Sequence, residues 1–440
     1  MLLFFGEVSD KIFVVQTSTK LSEKNIKKLN WLFGGTPFIN SKKINGLFIG
    51  PRASMISPWS TNAVEITQNM GIIGILRIEE YISKSLKQTA DPMLFAEFNG
   101  LDQNLFKVDI EPESIIQIRD IESYNEKEGL ALSQEEIIYL NNLSKNLKRP
   151  LTDSEVFGFS QVNSEHCRHK IFNGKFIIDG VEKEKSLFEL IKLTSEINSN
   201  SIVSAYKDNV AFIEGPIVEQ FSPKDSNKPS IYFKEKIESV ISLKAETHNF
   251  PTTVEPFNGA ATGSGGEIRD RLAGGKGSLP LAGTAVYMTP YSRINKSIIN
   301  NNFKKRNWLY QTPVDILIKA SNGASDFGNK FGQPLENNKT WGFDKVIMLA
   351  GGIGYGKKNQ AQKGVPKKGD KIIILGGDNY RIGMGGAAVS SADTGAFGNK
   401  LELNAVQRSN PEMQKRVANA IRSLLESNHN PIISIHDHGA

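Results

Sequence analysis

The pattern of the chain changes near residue 179, and that change limits the fold more than any one motif does. Upstream lie strand and helix signals in a compact order: KIFVVQT (11–17) has strand character, LSEKNIKKLNWLF a helix opening at its Leu or Ser, INGLFIG a strand, and STNAVEITQNM a helix capped by Ser60 or Thr61. Next, Ser133 with Glu136 forms a capping-box pattern, and Ile137, Leu140, Leu143 and Leu147 recur at helical spacing until Arg149-Pro150. A second box, Thr152 with Glu155, opens a helix carrying Val156, Phe159 and Val162 on one face. Downstream, glycine-rich turns separate β-like runs: NVAFIEG, IESVISLKAE, GTAVYMTP, PVDILIKA and KVIMLAGGIG. After the turn-rich KKNQAQKGVPKKGD, the run KIIILGG starts a further unit, with a helix near 410–427 and a buried strand PIISIHD. The expected fold class is α+β and multidomain, divided at 1–125, 126–178, 179–365 and 366–440.

The bulk numbers suit that division. With 440 residues, 39% of them hydrophobic, the chain can bury several cores. No run of 18 apolar residues is present, and the opening MLLFFGEVSDKIFVV puts acids where a signal peptide needs a basic flank. A soluble cytoplasmic protein with no membrane partner is expected, and a single cysteine suits a reducing compartment. The 53 Lys+Arg exceed the 47 Asp+Glu, but the lysines are scattered beside acids and asparagines, so no nucleic-acid partner is expected. The chain stops at HDHGA, within what reads as a glycine turn, and is expected to be a piece of something longer.

Three stretches carry chemistry. KAETHNFPTTVEPFNGAATGSGGEIRD (244–270) sets Lys244, Glu246, His248, Asn249, Glu255, Glu267, Arg269 and Asp270 around glycines 259, 263, 265 and 266. Read as a loop, those glycines let backbone N–H groups approach phosphate while the carboxylates hold a magnesium ion. The stretch is neither a Walker A loop nor a G-x-G-x-x-G fingerprint, and an ordinary tight turn is the competing view. GGDNYRIGMGGAAVSSADTG (376–395 by position) offers Asp378, Arg381 and Asp393 beside further glycines, or is simply a strand-to-helix loop. In HDHGA, Asp437 ends a strand, where it can meet a metal or only form a turn. Five of the six histidines fall in these two outer stretches and the octapeptide NSEHCRHK (163–170).

The octapeptide has three uses open to it. Zinc needs three or four reachable ligands, and adjacency turns Cys167 away from the face that His166 and His169 share at i, i+3. A thiol nucleophile wants a distant histidine partner and has no task beside a magnesium-like site. A helix end presenting His166, Arg168 and His169 to an anionic substrate, with Cys167 a packed neighbour, fits best.

At this point NSEHCRHKIFNG, KAETHNFPTTVEPFNGAATGSGGEIRD, NKFGQP, AGGIGYG and ISIHDHGA together resemble the large single-chain formylglycinamide ribonucleotide amidotransferases, or phosphoribosylformylglycinamidine synthases. GPRASMISPWSTNAVEI (50–66) resembles the N-terminal domain of the same family. The resemblance runs in order through essentially the whole chain. It implies a small N-terminal α/β domain, a helical linker and the first half of an aminoimidazole ribonucleotide synthetase-like core. The implied reaction takes ATP, formylglycinamide ribonucleotide and glutamine to formylglycinamidine ribonucleotide, through an iminophosphate attacked by ammonia. The glutaminase domain that makes the ammonia, and the second synthetase half, would lie outside this segment.

The resemblance also implies roles. Glu246, Asp270 and Asp437 would be Mg2+ ligands, His248 the catalytic base and His166 a second catalytic histidine. Thr247, Asn249, Phe250, Arg269 and Gln407 would contact substrate. ATP would meet Lys244, His169 and the stretch Gly259, Ala260, Ala261, Thr262, Gly263, Ser264, Gly265, Gly266, Glu267, Ile268, Arg269 and Asp270. One departure stands out: many bacterial members have His-Asn-His-Pro where this chain has His248-Asn249-Phe250-Pro251, and Phe250 cannot donate a hydrogen bond. The alternatives are another ATP-dependent enzyme of the same superfamily, or a non-catalytic homologue acting as a scaffold.

Overall fold

The computed structural model describes residues 1–86, 91–108, 113–290, 311–342, 345–377 and 382–438. They form two compact units, one over Met1–Ser114 and one from Ile115 onward. No helix among the described residues is long and apolar enough to cross a membrane.

The first unit is a six-stranded antiparallel sheet in the order Phe38–Ile39, Leu2–Gly6, Lys11–Thr17, Ile75–Ser83, Lys43–Pro51, Phe95–Asp102. Strands Leu2–Gly6 and Lys11–Thr17 are buried at nearly every successive position, so both faces of the sheet are covered there. Phe5, Phe13, Val15 and Ile78 pack with Leu29 and Ala63 of the two helices, while Phe4, Ile12, Val14 and Tyr81 pack with Leu101 and Leu105 on the other side. The helix expected to open at Ser60 or Thr61 opens one turn earlier. Ser57 caps it and Pro58 takes the first helical position, where its missing N–H costs nothing. Ser60 is instead buried, its Oγ accepting from the Ile78 N–H at 3.1 Å.

The second unit begins with three helices, Ile121–Glu128, Gln134–Leu147 and Asp153–Val162, and both expected capping boxes are formed, at Ser133/Glu136 and Thr152/Glu155. A second six-stranded sheet follows, in the order Ile202–Ser204, Ala211–Pro223, Tyr232–Thr247, Ile347–Lys357, Leu279–Thr289, Leu335–Gly342. Its pairs are antiparallel except the last, and a parallel pair needs a long crossover. That crossover contains the helix Pro313–Phe331, so PVDILIKA is helical and not the strand expected from it. Thr312 caps that helix and Pro313 starts it, and Ile316, Ala320, Ala324, Phe327 and Phe331 recur on its buried face.

Two further expectations fail in the last segment. Residues 371–377 form no strand, and Ile372 is 95% exposed, so KIIILGG has no ladder partner among the described residues. PIISIHD is likewise irregular and only partly buried, tied down by point contacts such as Gly364 N–H to the Ile433 carbonyl at 2.7 Å. The helix expected near 410–427 is present as Pro411–Glu426. Asp378 and Arg381 lie outside the described residues.

Candidate functional site

The long strand Tyr232–Thr247 delivers Lys244 and Glu246 to one side by its two-residue period, and His248 follows at its end as the cap of the short helix Asn249–Val254. The glycines beyond do not form the expected loop. Residues 256–272 are a helix, Pro256–Leu272, started by Pro256 and by Glu255, whose carboxylate accepts from the Asn258 N–H at 2.9 Å. Its glycines serve close packing. A Cβ on Gly259 would lie 2.3 Å from the Pro251 carbonyl carbon, one on Gly263 3.0 Å from the His248 Cβ, and one on Gly265 2.7 Å from the Phe327 ring.

This corrects the phosphate-cradle expectation. Helical N–H groups are spent on the helix ladder, and Gly259, Ala260, Ala261, Thr262, Gly263, Ser264, Gly265, Glu267 and Ile268 are all buried. Glu267 is fully enclosed and bonded to Arg271 and Gln333, with burial pushing its carboxyl up to about 7 against the pull of Arg271. Only Gly266, Arg269 and Asp270 escape burial, and their i, i+3, i+4 spacing places them on one face.

The same packing fixes His248. Its Nδ1 lies 2.6 Å from the Gly259 carbonyl, and a carbonyl can only accept, so Nδ1 carries the proton and Nε2 is left with its lone pair. Burial lowers the imidazole pKa to about 4, outweighing the Gly259 bond and the Glu246 charge that raise it, so the ring is neutral near pH 7.

Around Lys244 the three expected metal ligands converge. Lys244 Nζ is 3.1 Å from Glu246 and 2.7 Å from Asp270. Asn209 spends both amide hydrogens on the cluster, donating to Asp270 at 3.0 Å and to Asp437 at 2.7 Å. Arg269 Nε stands 3.8 Å from Asp437. Burial works against the Lys244 ammonium, but Glu246 and Asp270 more than offset it and its pKa rises. Burial also pushes Asp270 up, Lys244 pulling it back while Asp437 and Glu246 push it further. Among the described residues no three such side chains are arranged as a metal-ligand group, because Lys244 and Asn209 hold the space between them.

Asn209 was missed because the sequence shows it only as the polar start of a strand. Asp208 and Lys363 were missed with it. Asp208 accepts from the Gly275 N–H at 2.7 Å and pairs with Lys363 at 2.7 Å, and Lys363 reaches His436 Nδ1 at 3.1 Å, which anchors the irregular segment bearing Asp437.

The octapeptide is not the continuous helix end expected. Asn163 closes one helix, Ser164 caps a single turn over Glu165–Arg168, and His169 sits in the left-handed region at φ 48. That break removes the shared face of His166 and His169. His166 is solvent-exposed yet comes near the site: the protein on its inner side lowers its pKa, while the Glu246 charge raises it. The turn is held by the His166 N–H to Ser391 Oγ at 3.2 Å and the Ala388 N–H to Gln161 at 3.2 Å. His169 stacks at 6.1 Å on Phe188 instead. Cys167 is exposed, not packed as expected.

Of the remaining expected contacts, Thr247 is exposed at the strand end, whereas Asn249 accepts from the Met348 N–H at 3.1 Å. Phe250 is 7% exposed in a cluster with Val254, Val389, Ala405 and Val406, so it packs as a core residue. Gln407 lies against Gly383, where a Cβ would come within 2.6 Å of its Cγ. Across the sheet, the face away from the helices forms an open apolar hollow of about 1030 Å³, lined among others by Leu243, Val286, Leu349 and Ile353.

Comparison with known proteins follows the same division. Residues 10–104 match the formylglycinamide ribonucleotide amidotransferase N-terminal family, residues 121–170 the linker domain of that amidotransferase, and residues 367–440 the C-terminal domain of AIR synthase related proteins. The order of these segments defines an AIR synthase-related protein preceded by its own N-terminal domain and linker. The chain matches the N-terminal portion of the formylglycinamide ribonucleotide amidotransferase family. It is 34% identical, over 98% of its own length, to a probable phosphoribosylformylglycinamidine synthase, chloroplastic/mitochondrial, of Arabidopsis thaliana, and spans 34% of that protein. A solved structure of T. maritima PurL complexed with ATP shares 21% identity, covers 66% of this chain and 36% of that one, and has a TM-score of 0.38. Phosphoribosylformylglycinamidine synthase II from Thermotoga maritima shares 22% identity over the same fractions, 66% and 36%, also with a TM-score of 0.38.

Proposed function

We propose that this chain supplies the N-terminal domain, linker and first synthetase half of an enzyme that converts formylglycinamide ribonucleotide, ATP and glutamine into formylglycinamidine ribonucleotide. The observation that carries this reading is the meeting of Glu246, Asp270 and Asp437 around Lys244 and Asn209, beside a neutral His248 with its Nε2 uncommitted. Three carboxylates against the Lys244 ammonium and the Arg269 guanidinium leave a net negative charge, and an all-oxygen donor set suits a hard cation such as Mg2+ once Lys244 and Asn209 yield the space they hold between the carboxylates. Bound there, Mg2+ supplies neutralisation of the triphosphate charge. Arg269 and Gly266, on the outer stripe of the helix, face the ligand phosphates. His248 takes the proton that ammonia must lose when it attacks the activated amide carbon, and His166 assists from the linker.

In this reading residues 1–125 are the N-terminal domain, 126–178 the linker, 179–365 the ATP- and substrate-binding subdomain and 366–440 part of the second subdomain. The second synthetase half covers the open apolar hollow lined by Leu243 and Ile353, and a glutaminase domain supplies ammonia. The single cysteine supports a reducing, cytoplasmic setting. The test uses the complete enzyme carrying this segment, with Glu246→Gln and Asp270→Asn. ATP binding measured by calorimetry should weaken in both, and added magnesium should partly restore it. Unchanged ATP affinity in both variants would sink the assignment.

A further inference from the structure

Gln414 belongs to none of the motifs described above, yet it is the buried residue that grips Arg269. It lies in the first turns of the helix Pro411–Glu426, whose start is fixed twice over. Asn410 accepts from the Met413 N–H at 3.1 Å, and the Ser409 N–H reaches Asn258 at 3.4 Å on the glycine helix. From that place the Gln414 Nε2 donates to the Gly265 carbonyl at 3.0 Å, and its Oε1 accepts from Arg269 Nη1 at 3.3 Å. Gly265 offers only an acceptor and Arg269 only donors, so the amide has one workable orientation. Residue 265 must be glycine-sized for the approach, since a Cβ there would also come 3.2 Å from Arg269 Nη1.

The consequence falls on Arg269. Its Nη1 is taken by Gln414 and its Nε faces Asp437, while Nη2 stands where a Cβ on Gly266 would be only 3.5 Å away. A long, half-exposed arginine otherwise samples many rotamers, and holding two of its edges aims the third. We propose that Gln414 is a positioning residue for Arg269. It fixes the guanidinium so that its Nη2 edge meets a phosphate of the bound ligand, and it makes that contact depend on docking of the Pro411–Glu426 helix against the glycine helix. This rests on the reading of Arg269 as a phosphate contact given above.

The experiment uses the complete enzyme carrying this segment, assayed with ATP, formylglycinamide ribonucleotide and ammonium chloride. Arg269→Ala identifies the phosphate ligand by raising one KM, by about a hundredfold for a lost charged hydrogen bond. Gln414→Met keeps length and packing but removes both bonds. It should raise the same KM about tenfold with kcat within about threefold, and add nothing in the Arg269→Ala background. Gln414→Glu, which neutralises the guanidinium, should raise that KM as well, and it carries the test if the methionine variant does not fold. A lowered melting temperature with that KM unchanged, or effects that add in the double variant, would reduce Gln414 to a packing residue. If Arg269→Ala itself changes neither KM, the phosphate assignment fails and this proposal goes with it.

Discussion

Two glycine-rich regions of this protein, 259–266 and 383–395, invite one interpretation and have different structures. In the first the glycines sit inside a helix because backbone and rings press on them, with Gly259 against Pro251 and Gly265 against Phe327. In the second they turn the chain, with φ of +87, +84 and +92 at Gly383, Gly385 and Gly395. The first demands small size and the second left-handedness. What they share is the result: each supports a histidine. The Gly259 carbonyl holds His248, and the turn leading to Ser391 holds the backbone of His166. Glycine content alone does not separate these uses, and neither is the phosphate-cradling loop that the composition suggests.

Substitutions can sharpen the contrast, beginning with the severest. Gly259→Ala should cost about 3 kcal/mol or more despite alanine's better helix propensity, because the new methyl meets backbone that cannot yield. Urea unfolding would measure this, and a neutral result would show that the helix does not pack so closely. Gly383→Ala should cost about 2 kcal/mol, combining left-handed strain with the close approach to Gln407, whose side chain can partly move away. Ser391→Ala should lose about 1 kcal/mol by removing the acceptor of the His166 N–H, and loosening of that turn should appear as faster amide exchange there. Smallest of all, Gly266→Ala has room, because its nearest neighbour, Arg269 Nη2, lies at an ordinary van der Waals distance of 3.5 Å, and it should stabilise by about 0.5–1 kcal/mol. If Gly266→Ala destabilises as much as Gly259→Ala, the distinction between the buried and open faces of this helix is wrong.

The difference between these faces was only partly visible in the sequence. Local signals were reliable where chemistry fixes geometry: both capping boxes formed, and the runs around 211–223 and 232–247 became strands. PVDILIKA misled because Val314, Ile316 and Ile318 alternate like a strand over a short window. The buried series from Ile316 to Phe331, read over its whole length, is helical. The glycine helix misled because four glycines outweighed Pro256, Ala260, Ala261, Ile268 and Leu272, which mark its start and its buried face. The identities of Glu246, His248, Asp270 and Asp437 could be named from motifs. Asn209, Asp208, Lys363 and Gln414 could not, since their roles arise only when segments far apart in sequence are brought together.

The central claim is that this packing presents His248 as a base beside a separate carboxylate cluster, and His248→Ala in the complete enzyme tests it most directly. Calorimetry should find ATP and formylglycinamide ribonucleotide binding nearly intact. Ammonia-dependent turnover should fall by about a hundred- to ten-thousand-fold, the range for a lost general acid or base. Near-normal turnover, or a loss explained entirely by failure to bind nucleotide, would contradict the account.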